Sequence, residues 1–94
     1  MELDFKELLE EAYSKGYDSE FENIYAIRDW LWLDKNILVN IRDIEHNRNM
    51  AFFYYIKHSS NDNNWVEIKG NDNWLNINTA FYFGIKHALG LISC

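Results

Sequence analysis

At Asp34-Lys35-Asn36 the apolar repeat of this chain changes period, and no single secondary element can carry both sides of the change. Upstream, Phe21, Ile24, Ile27 and Leu31 trace one stripe at helical spacing, with Tyr25 and Trp32 on its flank. Downstream, Ile37, Val39 and Ile41 alternate with Asn40 and Arg42, the spacing of a half-buried strand. Strict alternation exists only between Asp29 and Leu33, too short a run to outweigh the stripe before it. The stretch DWLWLDKN therefore closes a helix, and ILVNI opens a strand.

The same test divides the rest of the chain. Leu3, Phe5, Leu8, Leu9 and Ala12 predict an amphipathic first helix, with Gly16 placed for a left-handed C-terminal cap. Ser19 followed three residues later by Glu22 has the form of a capping box and predicts the start of the second helix there. After the first strand, Glu45-His46-Asn47-Arg48-Asn49 reads as a turn. Met50 to Ile56 reads as a second strand, apolar on both faces and hence central in its sheet. Ser59 to Asn64 turns again, Trp65 to Lys69 is a third, half-exposed strand, and Gly70-Asn71-Asp72-Asn73 ends it. A last helix, capped by Asn76 or Asn78, repeats Ala80, Gly84 and Ala88 every four residues, small side chains that let its backbone lie close to a sheet. Phe81, Ile85, Leu89 and Ile92 widen that face. The expected fold is α+β, in the order α-α-β-β-β-α: two N-terminal helices, a three-stranded antiparallel meander and a C-terminal helix packed on the sheet, with residues 1–94 as a single domain.

Composition removes several function classes. The one cysteine, Cys94, allows no intrachain disulfide, and the longest apolar region, Ala80 to Ile92, carries Lys86 and His87 and falls short of the ~20 residues of a membrane span. A cytoplasmic protein without a membrane segment is expected. Net charge is −6 and uneven: up to Asp34 there are ten acids against three bases, and from Lys35 onward five acids against six bases. Such a field disfavours direct nucleic-acid binding. His46, His58, His87 and Cys94 have no metal-site spacing, so no metal or other cofactor is expected. Glu10 and Glu11 diverge on a helix, and His58-Ser59-Ser60 lacks a third group to orient a nucleophile, so no catalytic residues are assigned and a non-enzyme is expected.

What remains is surface. Asp4, Glu7 and Glu11 share a helical stripe with Glu10 alongside, and Asp18, Glu20 and Glu22 continue the charge. This field is either a solvated helix face or a means of steering the protein onto a basic partner.

Element order resembles the double-stranded-RNA-binding domain, an α-β-β-β-α module, but the last helix opens Asn76-Ile77-Asn78-Thr79 with no lysine before Lys86, so that family's RNA-binding residues are missing. Trp32-Leu33-Asp34-Lys35-Asn36-Ile37, together with Thr79-Ala80-Phe81-Tyr82-Phe83-Gly84-Ile85-Lys86-His87-Ala88-Leu89-Gly90-Leu91-Ile92, resembles small uncharacterised proteins of phages and prophages of gut bacteria. The second of these stretches is similar to their final helix, Glu-Ala-Leu-Glu-Ala-Gly-Ile-Lys-Glu-Ala-Leu-Lys-Leu-Ile. That resemblance implies a fold and a mobile-element setting, and no activity. Tyr82 and Phe83 depart from it: they either widen the buried face or, beside Trp30 or Trp74, form an outward aromatic patch. The candidate partner-binding residues are therefore Asp4, Glu7, Glu10, Glu11, Glu20, Trp30, Trp74, Tyr82 and Phe83. They suit a small protein-binding module, such as an acidic inhibitor of a host factor, or alternatively a self-associating homodimer.

Overall fold

A computed structural model describes residues 4–46, 49–59, 65–70 and 73–92. Expectations on Leu3, the turns at 47–48, 60–64 and 71–72, Ser60 and Cys94 lie outside the described residues, as do the side chains of His46 and Ser59. The element order is α1 (Phe5–Ser14), α2 (Ile24–Lys35), β1 (Ile37–His46), β2 (Asn49–Ser59), β3 (Trp65–Lys69) and α3 (Ile77–Gly90). The strands form one antiparallel sheet in the order β1-β2-β3. This is the α+β arrangement expected, with β2 in the centre.

The change of period at Asn36 is a real boundary. Asn36 adopts the left-handed conformation (φ 56°, ψ 36°), which ends α2 and turns the chain into β1. Asparagine tolerates that region better than other residues with a Cβ. The end of α1 is a Schellman turn: the Tyr17 amide donates to the Ala12 carbonyl at 3.0 Å and the Gly16 amide to the Tyr13 carbonyl at 3.1 Å. Gly16 at φ 108° makes this geometry accessible.

The start of α2 differs from expectation. The helix begins at Ile24, and its cap is Asn23, whose side chain accepts from the Ala26 amide at 2.9 Å. Ser19 instead accepts from the Phe21 amide at 3.1 Å, a local turn that competes with helix formation. Phe21 thus leaves the apolar stripe and stands 63% exposed. Ile27 and Leu31 are fully buried, so the stripe survives from Ile24 onward. Both strands of the first hairpin also run further into the expected turn, with His46 opposite Asn49.

α3 lies across β1 and β2. Ala80, Ile85, Ala88 and Leu89 are fully buried there, and an added Cβ on Gly84 would sit 2.9 Å from Tyr54 Cβ and 2.9 Å from Val39 Cγ1. The cap is Asn76, accepting from the Asn78 amide at 2.8 Å. A single core cluster joins α1 (Leu8, Leu9, Ala12), α2 (Ile27, Leu31), β1 (Ile37, Val39), β2 (Tyr54, Ile56) and α3. At roughly 1.5–3 kcal/mol for each fully buried aliphatic side chain, that cluster is the main source of stability. α1 is pinned to the C-terminal segment at both ends. The Tyr82 hydroxyl donates to the Asp4 carbonyl at 3.1 Å, and Lys15 Nζ donates to the Ile92 carbonyl at 3.1 Å.

Away from the helices, the other face of the sheet places Lys69 over the Phe53 ring (4.7 Å) and Arg42 and Lys57 over Tyr55 (5.1 and 5.8 Å). Basic side chains shield the aromatics on that face. No helix of the described residues is long and apolar enough to cross a membrane.

Candidate functional site

The groove that unites charge with exposed apolar surface is built by the α1–α2 connection and one face of α2. Its walls are Gly16 to Ser19 and Phe21 on one side, and Ala26, Asp29, Trp30, Leu33 and Asp34 on the other, enclosing about 530 Å³. The α2 residues follow the helical repeat, at positions i, i+3, i+4, i+7 and i+8 from Ala26, so they share one face. This stripe lies beside the buried one of Ile27 and Leu31. Leu33, at 75% exposure, is unprotected there.

The connecting loop is shaped by Tyr17, which is buried. Its hydroxyl donates to the Phe21 carbonyl, and its ring packs edge-on against Trp30 at 5.5 Å and stacks with Tyr13 at 5.6 Å. Trp30 is thereby held half-buried at the floor of the groove. Gly16 lies beside it, where an added Cβ would make an ordinary contact with the indole at 3.9 Å.

Charge on the rim is one-sided. Asp18, Asp29 and Asp34 are exposed, and Asp29 meets Arg28 at 3.5 Å across a solvent-facing pair. Asp18 and Asp34 have no ion-pair partner among the described residues. Lys35 Nζ sits 5.6 Å from the Trp30 ring, so the indole already hosts one ammonium group. Aromatic face, carboxylates and exposed aliphatic surface are together the chemistry that receives a lysine or arginine side chain with apolar neighbours.

The residues singled out from sequence divide into three sets. Trp30 falls in the groove. Glu7, Glu10 and Glu20 are exposed and Glu11 is half-buried, along α1 and the connection that follows. Asp4 serves α1 as its N-cap, accepting from the Glu7 amide at 3.0 Å. The third set is packing. Tyr82 is only 6% exposed, because α3 turns it toward the N-terminus of α1, where its hydroxyl finds the Asp4 carbonyl. Phe83 stacks on Trp74 at 5.1 Å, and Trp74 stacks on Tyr54 at 5.9 Å. Tyr82 therefore belongs to the wider buried face of α3 and not to an outward patch, while Trp74 and Phe83 stack half-buried against the core.

Asp29, Leu33, Asp34 and the exposed Phe21 were not singled out from sequence. The second stripe on α2 was the available signal. His87 Nδ1 is engaged by the Tyr54 hydroxyl at 2.9 Å, and no group of three His, Cys, Asp or Glu side chains converges among the described residues. A second groove of about 340 Å³, lined by Phe5, Tyr25, Phe81 and Tyr82, is more apolar and has one carboxylate in its lining, Glu22. Fold and groove together define a small α+β module with an acidic, aromatic-floored cleft. No family model, no curated protein and no solved structure matches the chain.

Proposed function

We propose that the protein is a non-catalytic binding module that docks a basic segment of a partner protein into the groove between the α1–α2 connection and α2. The observation that carries this reading is the coincidence, in one cleft, of Asp18 and Asp34 with exposed Phe21 and Leu33 around Trp30. Carboxylates alone are common on solvated surfaces, and exposed apolar side chains alone are common too. Their convergence is less common and describes a receptor for cationic side chains with apolar neighbours.

The acids of α1 have a supporting role in this reading. Glu7, Glu10 and Glu20 lie outside the groove and extend its negative field, which raises the rate of encounter with a basic partner rather than the lifetime of the complex. In the mobile-element setting that the sequence suggests, the partner is a basic protein of the host cell, and binding would inhibit it.

The test is titration of a labelled peptide carrying alternating arginine and leucine into wild type, a groove variant (Leu33→Ser with Asp34→Asn) and a field variant (Glu7→Gln with Glu10→Gln). The groove variant is expected to lose affinity through faster dissociation. The field variant is expected to slow association at low salt only. Equal affinity of wild type and groove variant would refute the reading.

A further inference from the structure

No side chain of β3 is fully buried. α3 packs on β1 and β2 and leaves β3 almost untouched, so β3 is held by its ladder to β2 and by the stacking of its Trp65 on Trp32 of α2 at 5.9 Å. Trp65 is 56% and Val66 40% exposed, and only Ile68 is half-buried.

The outer edge of β3 is open as well. The Gly70 amide donates to the Tyr54 carbonyl at 3.0 Å, and Trp74 exchanges both backbone bonds with Phe52 at 2.7 and 2.8 Å. Antiparallel ladders alternate, so Val66 and Ile68, with Gly70, direct their backbone groups toward β2. Trp65, Glu67 and Lys69 then direct theirs outward, and among the described residues nothing accepts from or donates to them. Such a row is a template for another strand.

We infer that β3 pairs with β3 of a second copy of this chain, antiparallel about a two-fold axis at Ile68, joining the two sheets into one. The sequence Trp65-Val66-Glu67-Ile68-Lys69 is self-complementary in that register. Glu67 stands opposite the second copy's Lys69, and Lys69 opposite the second copy's Glu67, each pair exchanging its outward backbone bonds. Ile68 meets the second copy's Ile68 on the helix side, and exposed Val66 faces the second copy's Gly70. Gly70 has no Cβ to obstruct it, and one added there would collide with Tyr54 at 2.7 Å. The register centred on Glu67 would oppose two carboxylates, which disfavours it. This surface is separate from the groove, and the pairing holds or fails independently of what the groove binds.

Glu67→Pro tests the pairing directly. The Glu67 amide points away from β2, so proline there removes an outward donor without breaking the β2–β3 ladder. Sedimentation velocity over the micromolar to millimolar range is expected to show the wild type passing from monomer to dimer. Glu67→Pro should remain a monomer throughout, with an unchanged far-ultraviolet spectrum. A wild type that stays monomeric, or a folded Glu67→Pro that dimerises, overturns the inference.

Should Glu67→Pro fail to fold, Glu67→Lys and Lys69→Glu decide the matter. Each alone opposes like charges in both pairs and is expected to be monomeric. An equimolar mixture places opposite charges in both pairs and is expected to dimerise. A mixture that remains monomeric overturns the pairing.

Discussion

Gly84→Ala is expected to destabilise the protein, against the ordinary preference of helices for alanine. The added methyl carbon would stand 2.9 Å from Tyr54 Cβ, 2.9 Å from Val39 Cγ1 and 3.1 Å from Tyr54 Cγ. Neither neighbour can swing aside. The Tyr54 Cβ is fixed to the central strand, its ring is stacked on Trp74, and its hydroxyl is held by His87. Val39 is buried on β1 and, being β-branched, is stiff about χ1. α3 must therefore lift from the sheet by several tenths of an ångström, at an overpacking cost of about 1–3 kcal/mol. Better helix propensity returns about 1 kcal/mol, leaving a net loss on the order of 1 kcal/mol. For a domain of this size that lowers the melting temperature by about 4–8 °C. Gly90→Ala is the control: the same change, on the same helix, with nothing within 4 Å of the new atom. It should be neutral or raise stability by up to about 0.5 kcal/mol. Urea unfolding of dilute protein, followed by circular dichroism, compares the two. Stability of Gly84→Ala equal to or above wild type would refute the close contact of α3 with Tyr54 and Val39.

Three further outcomes follow from particular contacts. Asn23→Ala should cost about 1 kcal/mol by removing the cap of α2, whereas Ser19→Ala should cost only a few tenths; urea unfolding distinguishes them. Tyr82→Phe keeps the ring and loses the hydrogen bond to the Asp4 carbonyl, a loss of about 1 kcal/mol in the same assay, with earlier fraying of α1 by amide exchange. Lys35→Ala vacates the Trp30 ring, and a cationic peptide should bind about two- to fivefold more tightly by calorimetry.

Much of this fold is legible in sequence because neighbouring residues decide it. The period change at Asn36, the left-handed glycine after α1 and the two-sided apolar run of β2 are each contained within a few positions. The start of α2 was misplaced because Ser19 and Asn23 both offer a side-chain oxygen to nearby amides. Which of them caps depends on where Tyr17 anchors the connection, and that is settled by contacts with Trp30 and Phe21. Tyr82 was ambiguous for a related reason. Its ring could be placed only once the N-terminus of α1 was known to lie beside α3.

The groove was half legible. Trp30 stood out as a tryptophan, and the acids by their number, yet the residues that line the groove with it, Phe21, Leu33 and Asp34, are ordinary singly. Only the connection between α1 and α2 brings Phe21 and Asp18 to the exposed stripe of α2. Sequence charge pointed to the face of α1, where the acids are most numerous. The proposed groove rests instead on the few that border apolar surface.

Nitrogen–proton correlation spectra recorded during titration with the arginine-leucine peptide test the groove most directly, with a glutamate-leucine peptide of equal length as control. If the groove is the docking site, saturable shifts will gather on Gly16 to Phe21, the Trp30 indole, Leu33 and Asp34, and salt will suppress them. Shifts confined to Glu7 and Glu10 on α1, or an equal response to the acidic peptide, would contradict it.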